Sequence, residues 1–577
     1  MAAPTKDGSI DFFNNPANKE KTGKWRASIF IFGYQFLEKL AYYGVSTNLV
    51  NYFKNTLNER SVNAANNVTN WSGTCFLTPV IGAFLADAYW GKYWTIIVFS
   101  VIYVMGLTIL MMCVAFPSLK PSCDSTTATG QCHPTELQIV VAYISLYMVA
   151  LGFGATRPCV SSFGGDQFDH TDQIEKKQRS SFFNWSYMLQ NVGMLLSTSA
   201  VVWLETNISL AWGYGVSTAA MAIGLGCFLL GTRLYRFQHP VGSSLTKMCQ
   251  VIIASIRKYD IRLPYDQSVL YELSRIKEEE EEGNNIIQAT YKLQHTDQLR
   301  FFDKSAVETQ IDRTAEGLAN PWRLCTVTQV EELKCIVRLL PIWASGIMFA
   351  TILSQMSAIF ILQGNKMDPH LIIINPNFKV PSSSLLVFNA LGVIVSTPIY
   401  DWVILPTAKK LTGYEQGFTQ LQRMGIGLAI SVVAIVSAGV LEHIRLNIVR
   451  KHNYYDIEFV PVSIFWQIPQ YFLVGFAEIF ILVGQIEFFY DQAPDSLRSL
   501  CSALSLTAMA LGNFFSSFIV TVVTRVTTRN GNLGWIPENI NKGHLDYYYG
   551  LLTLLSLFNC VAYVWVASYY KYKGMRC

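Results

Sequence analysis

Twelve apolar runs, each long enough to cross a lipid bilayer, constrain this chain more than any other feature. They fall at roughly 25–53, 69–89, 93–115, 137–162, 181–204, 211–235, 333–362, 383–408, 417–445, 462–490, 498–526 and 545–572. About 20 apolar residues at about 1.5 Å rise each span a hydrocarbon core of about 30 Å. Inside that core every backbone polar group needs an internal partner, which a helix supplies. The expected fold is an all-α membrane protein with about 12 transmembrane helices in two six-helix halves. Composition agrees: the chain of 577 residues is 51% hydrophobic and 15% charged, with a mean hydropathy of +0.27. A soluble protein of this size needs a larger polar share to cover its domains.

The division along the chain follows from the runs. Residues 1–24 form a cytosolic tail, 25–236 the first six-helix bundle, 237–330 a cytosolic linker, 331–572 the second bundle and 573–577 a second cytosolic tail. The linker carries the acidic run Glu278 to Glu282, read as a solvated tract. Its early part, SLTKMCQVIIASIRKY from Ser244, has apolar residues at helical spacing and is expected to lie along the membrane face or bridge the halves. Lys6, Lys19, Lys21, Lys24 and Arg26 precede the first run, Lys176, Lys177 and Arg179 lie between the fourth and fifth, and Lys571, Lys573 and Arg576 close the chain. An excess of Lys and Arg marks cytosolic segments, so both termini are expected inside, although Arg450, Lys451, Arg525 and Arg529 fall on the opposite side. The sequons at Asn67 and Asn207 fall outside in this topology. Met1 to Lys24 is polar throughout, which gives no cleavable signal peptide, and the first run is expected to serve as an uncleaved one.

The first run carries charge where lipid would penalise it. With about 100° per residue, Glu38, Lys39, Tyr42 and Tyr43 all fall within about 80° of Gln35, on one helix face. An ionised residue at the centre of a membrane helix costs on the order of 2.5–3.5 kcal/mol, so this face is expected to look into the bundle or a watery cavity. Twelve cysteines are too sparse for a disulfide scaffold and are not spaced as metal ligands. Cys123 and Cys132, which flank an outer loop, are the expected disulfide pair.

The second and third runs are joined by GAFLADAYWGKYW, Gly82 to Trp94, and the matching place of the second half holds PIYDWVILPTAKKLTG, Pro398 to Gly413. This weak internal repeat, two six-helix halves in parallel, resembles the major facilitator superfamily, which alternates access by rocking one half against the other. Asp87 near a helix N-terminus and Lys92 beyond it then read as a gating loop, a latch that breaks when the halves rock.

From about Lys21 to Tyr572 the chain resembles the proton-coupled oligopeptide transporters, and within them the plant nitrate and peptide transporters. The resemblance rests on GAFLADAYWGKYWTI, RPCVSSFGGDQFD from Arg157, SSFFNWSYMLQNVG from Ser180, LCTVTQVEELK from Leu324, GFTQLQRMGIG from Gly417 and GQIEFFYDQAPDSLRSLCSALSL from Gly484. The large extracellular insert of vertebrate members is missing from the short loop at Asn447 to Pro461. The resemblance implies symport of di- and tripeptides with protons, through residues of a Glu-x-x-Glu-Arg motif and a following Tyr-Tyr-Gly. Here Glu38 matches the second acid, Lys39 replaces the Arg, and Tyr42, Tyr43 and Gly44 are kept. Gln35 holds the place of the first acid and cannot titrate near neutral pH. Arg157 matches a base that pairs with a buried acid, here Glu478; Asn191 and Asn389 match residues that bind the peptide backbone and amino group. Ser186, Gln190 and Met194 depart from the family's fifth-helix signature.

Site assignments follow as expectations: Lys39, Tyr42, Tyr43, Arg157, Asn191, Asn389 and Glu478 for substrate, and Glu38 and Glu478 for proton coupling. The membrane is expected to be the plasma or the vacuolar membrane, with protons as the coupling ion and neither cofactor nor metal. Nitrate is one alternative substrate, but Leu353 stands where the nitrate carriers have a His. Another small organic solute, such as a hormone, glucoside or modified amino acid, and altered or lost coupling through Gln35, are further alternatives, as is a transport-dead receptor. No nucleophile–base motif or phosphate loop points to an enzyme, and the basic residues follow no nucleic-acid motif.

Overall fold

The computed structural model describes residues 5, 9–123, 132–169, 172–238, 244–264, 270–272, 295–309, 311–313, 319–370, 379–413, 417–492, 498–531 and 533–570. Six long helices precede the linker. They are α1 (Lys24–Ser46), α2 (Ser61–Leu77, continued by Pro79–Leu85), α3 (Gly91–Ala115), α4 (Glu136–Gly165), α5 (Gln173–Leu196) and α6 (Leu210–Leu230). Six follow it: α7 (Val327–Gln355), α8 (Val387–Ile399), α9 (Gln420–His452), α10 (Ile468–Glu478), α11 (Arg498–Thr527) and α12 (Leu545–Tyr569). Among the described residues, eight segments are long and apolar enough to cross a membrane, and one of these, Ser61–Ala115, covers both α2 and α3. Between those two the chain turns at Gly91, whose φ of 72° suits only glycine.

Local chemistry sets the ends. Helices α4, α7 and α9 each begin with a reciprocal capping box, Thr135 with Gln138, Thr326 with Gln329 and Thr419 with Gln422. Helix α2 starts at Ser61, eight residues before the apolar run at 69, because the polar stretch it adds is not solvated. Ala64, Ala65 and Val68 are buried, and the Asn67 amide donates to Glu59 Oε2 at 2.7 Å and Tyr143 Oη at 2.5 Å. Close packing of α3 on α4 needs small residues. A Cβ at Gly152 would stand 2.8 Å from the Phe99 carbonyl oxygen.

Among the described residues five π turns interrupt the helices, at Tyr52–Thr56, Ala86–Trp90, Ser197–Val201, Tyr400–Ile404 and Ile479–Val483. Two of them, Ala86–Trp90 after α2 and Tyr400–Ile404 after α8, occupy matching places in the two halves and coincide with the repeat seen in the sequence. The halves meet along α2 with α11 and along α5 with α8. Polar bonds tie them at the end remote from the linker. Asn365 Nδ2 donates to Asn51 Oδ1 at 2.9 Å, Asn66 Nδ2 to Thr521 Oγ1 at 3.0 Å, and the Ser61 backbone N–H to Glu538 Oε2 at 2.9 Å.

The linker helix Ser244–Arg257 packs with a 3-10 turn, Arg300–Ala306, against the start of α7. Val251, Ala254, Ala306, Cys325, Val330 and Leu333 form that small core. Its polar clamp is Lys334, fully buried, whose ammonium contacts Asp303 at 2.7 Å, Glu331 at 2.8 Å and the Thr296 carbonyl at 2.8 Å. The described part of the linker is thus a ledge on the second half, where its sequence is expected to lie along the membrane face or bridge the halves. The acidic run Glu278 to Glu282 lies outside the described residues.

Candidate functional site

The charged face of α1 is buried, as its spacing requires: Gln35, Glu38, Lys39 and Tyr42 are 5–6% exposed. A single ring in α4 organises the face. Phe153 stacks on Tyr42 at 3.8 Å between centroids with a 10° interplanar angle, and Tyr42 stacks on Trp71 at 5.6 Å. The Lys39 ammonium lies 5.0 Å from the Phe153 centroid, and the Arg157 guanidinium lies 5.7 Å from it and 5.3 Å from that of Phe76. Cations over aromatic faces gain about 0.5–2 kcal/mol each, most when desolvated. Phe153 precedes Arg157 by four residues, one helical turn, and Pro158 then removes a backbone donor that α4 would otherwise use. Glu38 lies in the field of both Lys39 and Arg157, with Oε1 buried and without a hydrogen-bond partner.

The second half contributes Glu478, the last residue of α10 before the π turn Ile479–Val483, and Asn389 of α8. Asn389 Nδ2 donates to Glu478 Oε2 at 3.4 Å. Arg157 and Glu478 sense each other's charge but form no ion pair within 4.0 Å. Tyr43 and Tyr187 lie in the field of both charges. The expected pair is therefore open in this conformation: Arg157 rests on rings and Glu478 on an amide.

Gln35 accepts from Ser186 Oγ at 2.5 Å, and Gln190 Nε2 donates to the same hydroxyl at 3.2 Å. Three of the residues that depart from the family's motifs thus form one neutral hydrogen-bonded string. Asn191 Nδ2 donates to the Tyr187 carbonyl at 2.9 Å, one turn back on its own helix. In the loop after α2, Lys92 pairs with Asp166 at the end of α4 at 2.5 Å, while Asp87 lies in the field of both. The latch expected between Asp87 and Lys92 is a three-residue group whose bonded partner is Asp166. Cys123 and Cys132 face each other as register partners in a two-stranded antiparallel ladder, and their side chains lie outside the described residues.

A second cluster, His295, Asp303 and Glu331, brings three metal-ligand types within 4.8 Å of one another. The Lys334 ammonium already bonds both carboxylates there, which supplies the positive charge a cation would bring.

Two helix bundles that hold opposed, half-buried charges and are tied at one end define a membrane transporter of the facilitator fold. Residues 93–536 match the PTR2 model, described as the POT family, and the chain belongs to that family, whose members are membrane transporters and not enzymes. Among similar proteins are two from Arabidopsis thaliana. Protein NRT1/ PTR FAMILY 8.1 is 55% identical over 99% of this chain and 98% of its own, and Protein NRT1/ PTR FAMILY 8.2 is 54% identical over 99% and 97%. Among solved structures, an auto-inhibited POT family peptide transporter superposes with a TM-score of 0.67 at 20% identity, covering 95% of this chain and 98% of that one. The POT family transporter PepTSo gives 0.67 at 19%, covering 94% and 98%. At such identities the likeness concerns the fold.

Proposed function

We propose that this protein is a proton-coupled symporter of di- and tripeptides, working by alternating access in a plasma or vacuolar membrane, with its termini and linker in the cytosol. The observation that carries the reading is the separation of Arg157 and Glu478 on opposite halves, each held by neutral groups. A zwitterion needs a cation at one end of its site and an acid at the other, because unpaired charge in a dehydrated cavity is costly. Arg157 and Lys39 can answer the carboxylate, Glu478 with Asn389 the amino group, and Tyr42, Tyr43 and Asn191 line the path between. Protons are the coupling ion, taken by Glu38 and Glu478. A proton on Glu478 removes the acid's claim on Arg157 and frees the halves to rock, with Asp87 and Lys92 as the gating loop, braced within the first half by Asp166. The disulfide Cys123–Cys132 belongs to the same reading.

The neutral string Gln35–Ser186–Gln190 favours a second reading, a small organic solute other than a peptide, with altered coupling. Voltage-clamped cells separate the two. Inward current with a neutral dipeptide that grows as the outside is acidified is the expected result; dipeptide silence, with or without a nitrate response, would overturn the peptide reading.

A further inference from the structure

One buried acid has no place in that scheme. Glu205, in the helical segment Val202–Asn207 that ends α5, is 6% exposed, and both of its carboxyl oxygens are buried without a hydrogen-bond partner. It fills the notch left by Gly213 at the start of α6, and Asn48, just beyond α1, faces it. Tyr214 from α6 faces it as well, with Tyr52 behind in ring contact at 5.9 Å. The other elements packed on the segment, the π turn Ser197–Val201 and the 3-10 turn Ser382–Leu386 of the second half, carry hydroxyl and apolar side chains only. No ion pair reaches Glu205 among the described residues.

Asn48 also opens a line of amides to the inter-half seam. Asn51 Nδ2 donates to Asn48 Oδ1 at 2.7 Å, Asn365 Nδ2 donates to Asn51 Oδ1 at 2.9 Å, and Ser382 Oγ donates to Asn365 Oδ1. Every link runs in the same sense and ends at Asn48, whose own amide N–H groups are left to face the acid.

We propose that Glu205 is a regulatory proton site: the seam closes on its neutral acid form, and the proton it holds is not carried across. An ionised carboxylate shut into this site with only the Asn48 amide to answer it costs far more than the acid form. When the seam at this end parts, water reaches the segment and the proton exchanges with that side; when the seam closes, the site is shut off with its proton in place. The proposal rests on the alternating-access reading for its direction: acid outside favours closure, and the number of protons per solute stays the same.

The test uses full-length protein in lipid. Infrared difference spectra between wild type and Glu205→Gln at neutral pH are expected to show a protonated carboxyl C=O stretch that the variant lacks. In intact cells, Ser383→Cys beside the seam is labelled with a membrane-impermeant maleimide, against the unsubstituted protein as background. Labelling is expected to rise with outside pH by up to about tenfold per unit. It should be low and flat with Glu205→Gln added, and pH-dependent again with Glu205→Asp. Identical spectra, or the same pH response in the Gln variant, would overturn the proposal. Labelling confined to inside-out membranes would overturn the orientation instead, and the infrared band would still decide the proton site.

Discussion

Phe153 to leucine keeps a buried apolar side chain and removes only the ring. Three contacts lose their face: the stack with Tyr42 at 3.8 Å, the Lys39 ammonium at 5.0 Å and the Arg157 guanidinium at 5.7 Å. An aromatic pair is worth about 0.5–1.5 kcal/mol beyond area, and each cation over a ring about 0.5–2 kcal/mol. The sum is about 1.5–5.5 kcal/mol. Bulk burial alone predicts a smaller loss, since leucine fills most of the same site. Unfolding of the purified protein in detergent by denaturant gives the total, and Phe153→Tyr, which keeps the face, should lie close to wild type. A double-mutant cycle of Phe153→Leu with Lys39→Met then isolates the cation–ring term, expected at about 0.5–2 kcal/mol. Equal stability of the Leu and Tyr variants, or a coupling indistinguishable from zero, would refute the view that this ring seats the cations.

Three further outcomes follow. Glu538→Ala removes the carboxylate that accepts from the Ser61 backbone and hydroxyl; with a half-exposed side chain it should weaken the seam by about 1 kcal/mol, a roughly fivefold gain in outer thiol accessibility, read by labelling at Asn365→Cys. Lys334→Met strands Asp303 and Glu331 in the linker core and should cost about 3–5 kcal/mol, seen as early proteolysis of the linker while α12 stays protected. Burial pushes the Asp312 carboxyl up, but hydrogen bonds from Lys258 and Thr309 outweigh this and hold it below the usual carboxylate range. Its stabilisation is therefore present above the unfolded value of about 3.9 and is lost as pH falls through the lower folded value; Asp312→Asn should flatten the acid limb of linker protection.

How much of this could be read from the chain depends on whether a signal is local. The twelve helices in two sets of six were legible because lipid demands contiguous apolar length, and the face of α1 because helical spacing fixes which residues share a side. The start of α2 was not, since SVNAANNVTN reads as a loop until Tyr143, Thr521 and Glu538 supply partners from far along the sequence, beside the local Glu59. Phe153 was missed because an aromatic residue in an apolar helix looks like any core residue; only its spacing of four from Arg157 hinted at more. Asp166 stands 74 positions from Lys92, so the sequence offered Asp87 as the nearer counter-charge. The opening of Arg157 from Glu478 belongs to one conformation, and no residue pattern encodes which state is populated.

Each π turn is one residue of slack, a dislocation that can travel along its helix as a wrinkle travels along a carpet. The turn Ile479–Val483 begins immediately behind Glu478. Were it to slip one register toward the start of α10, Glu478 would turn by roughly 100° about the helix axis, leaving Asn389 while nearly every backbone bond re-formed. Motion in the second half therefore has a screw-like component available to it, in which the acid is presented or withdrawn by rotation and no helix has to travel.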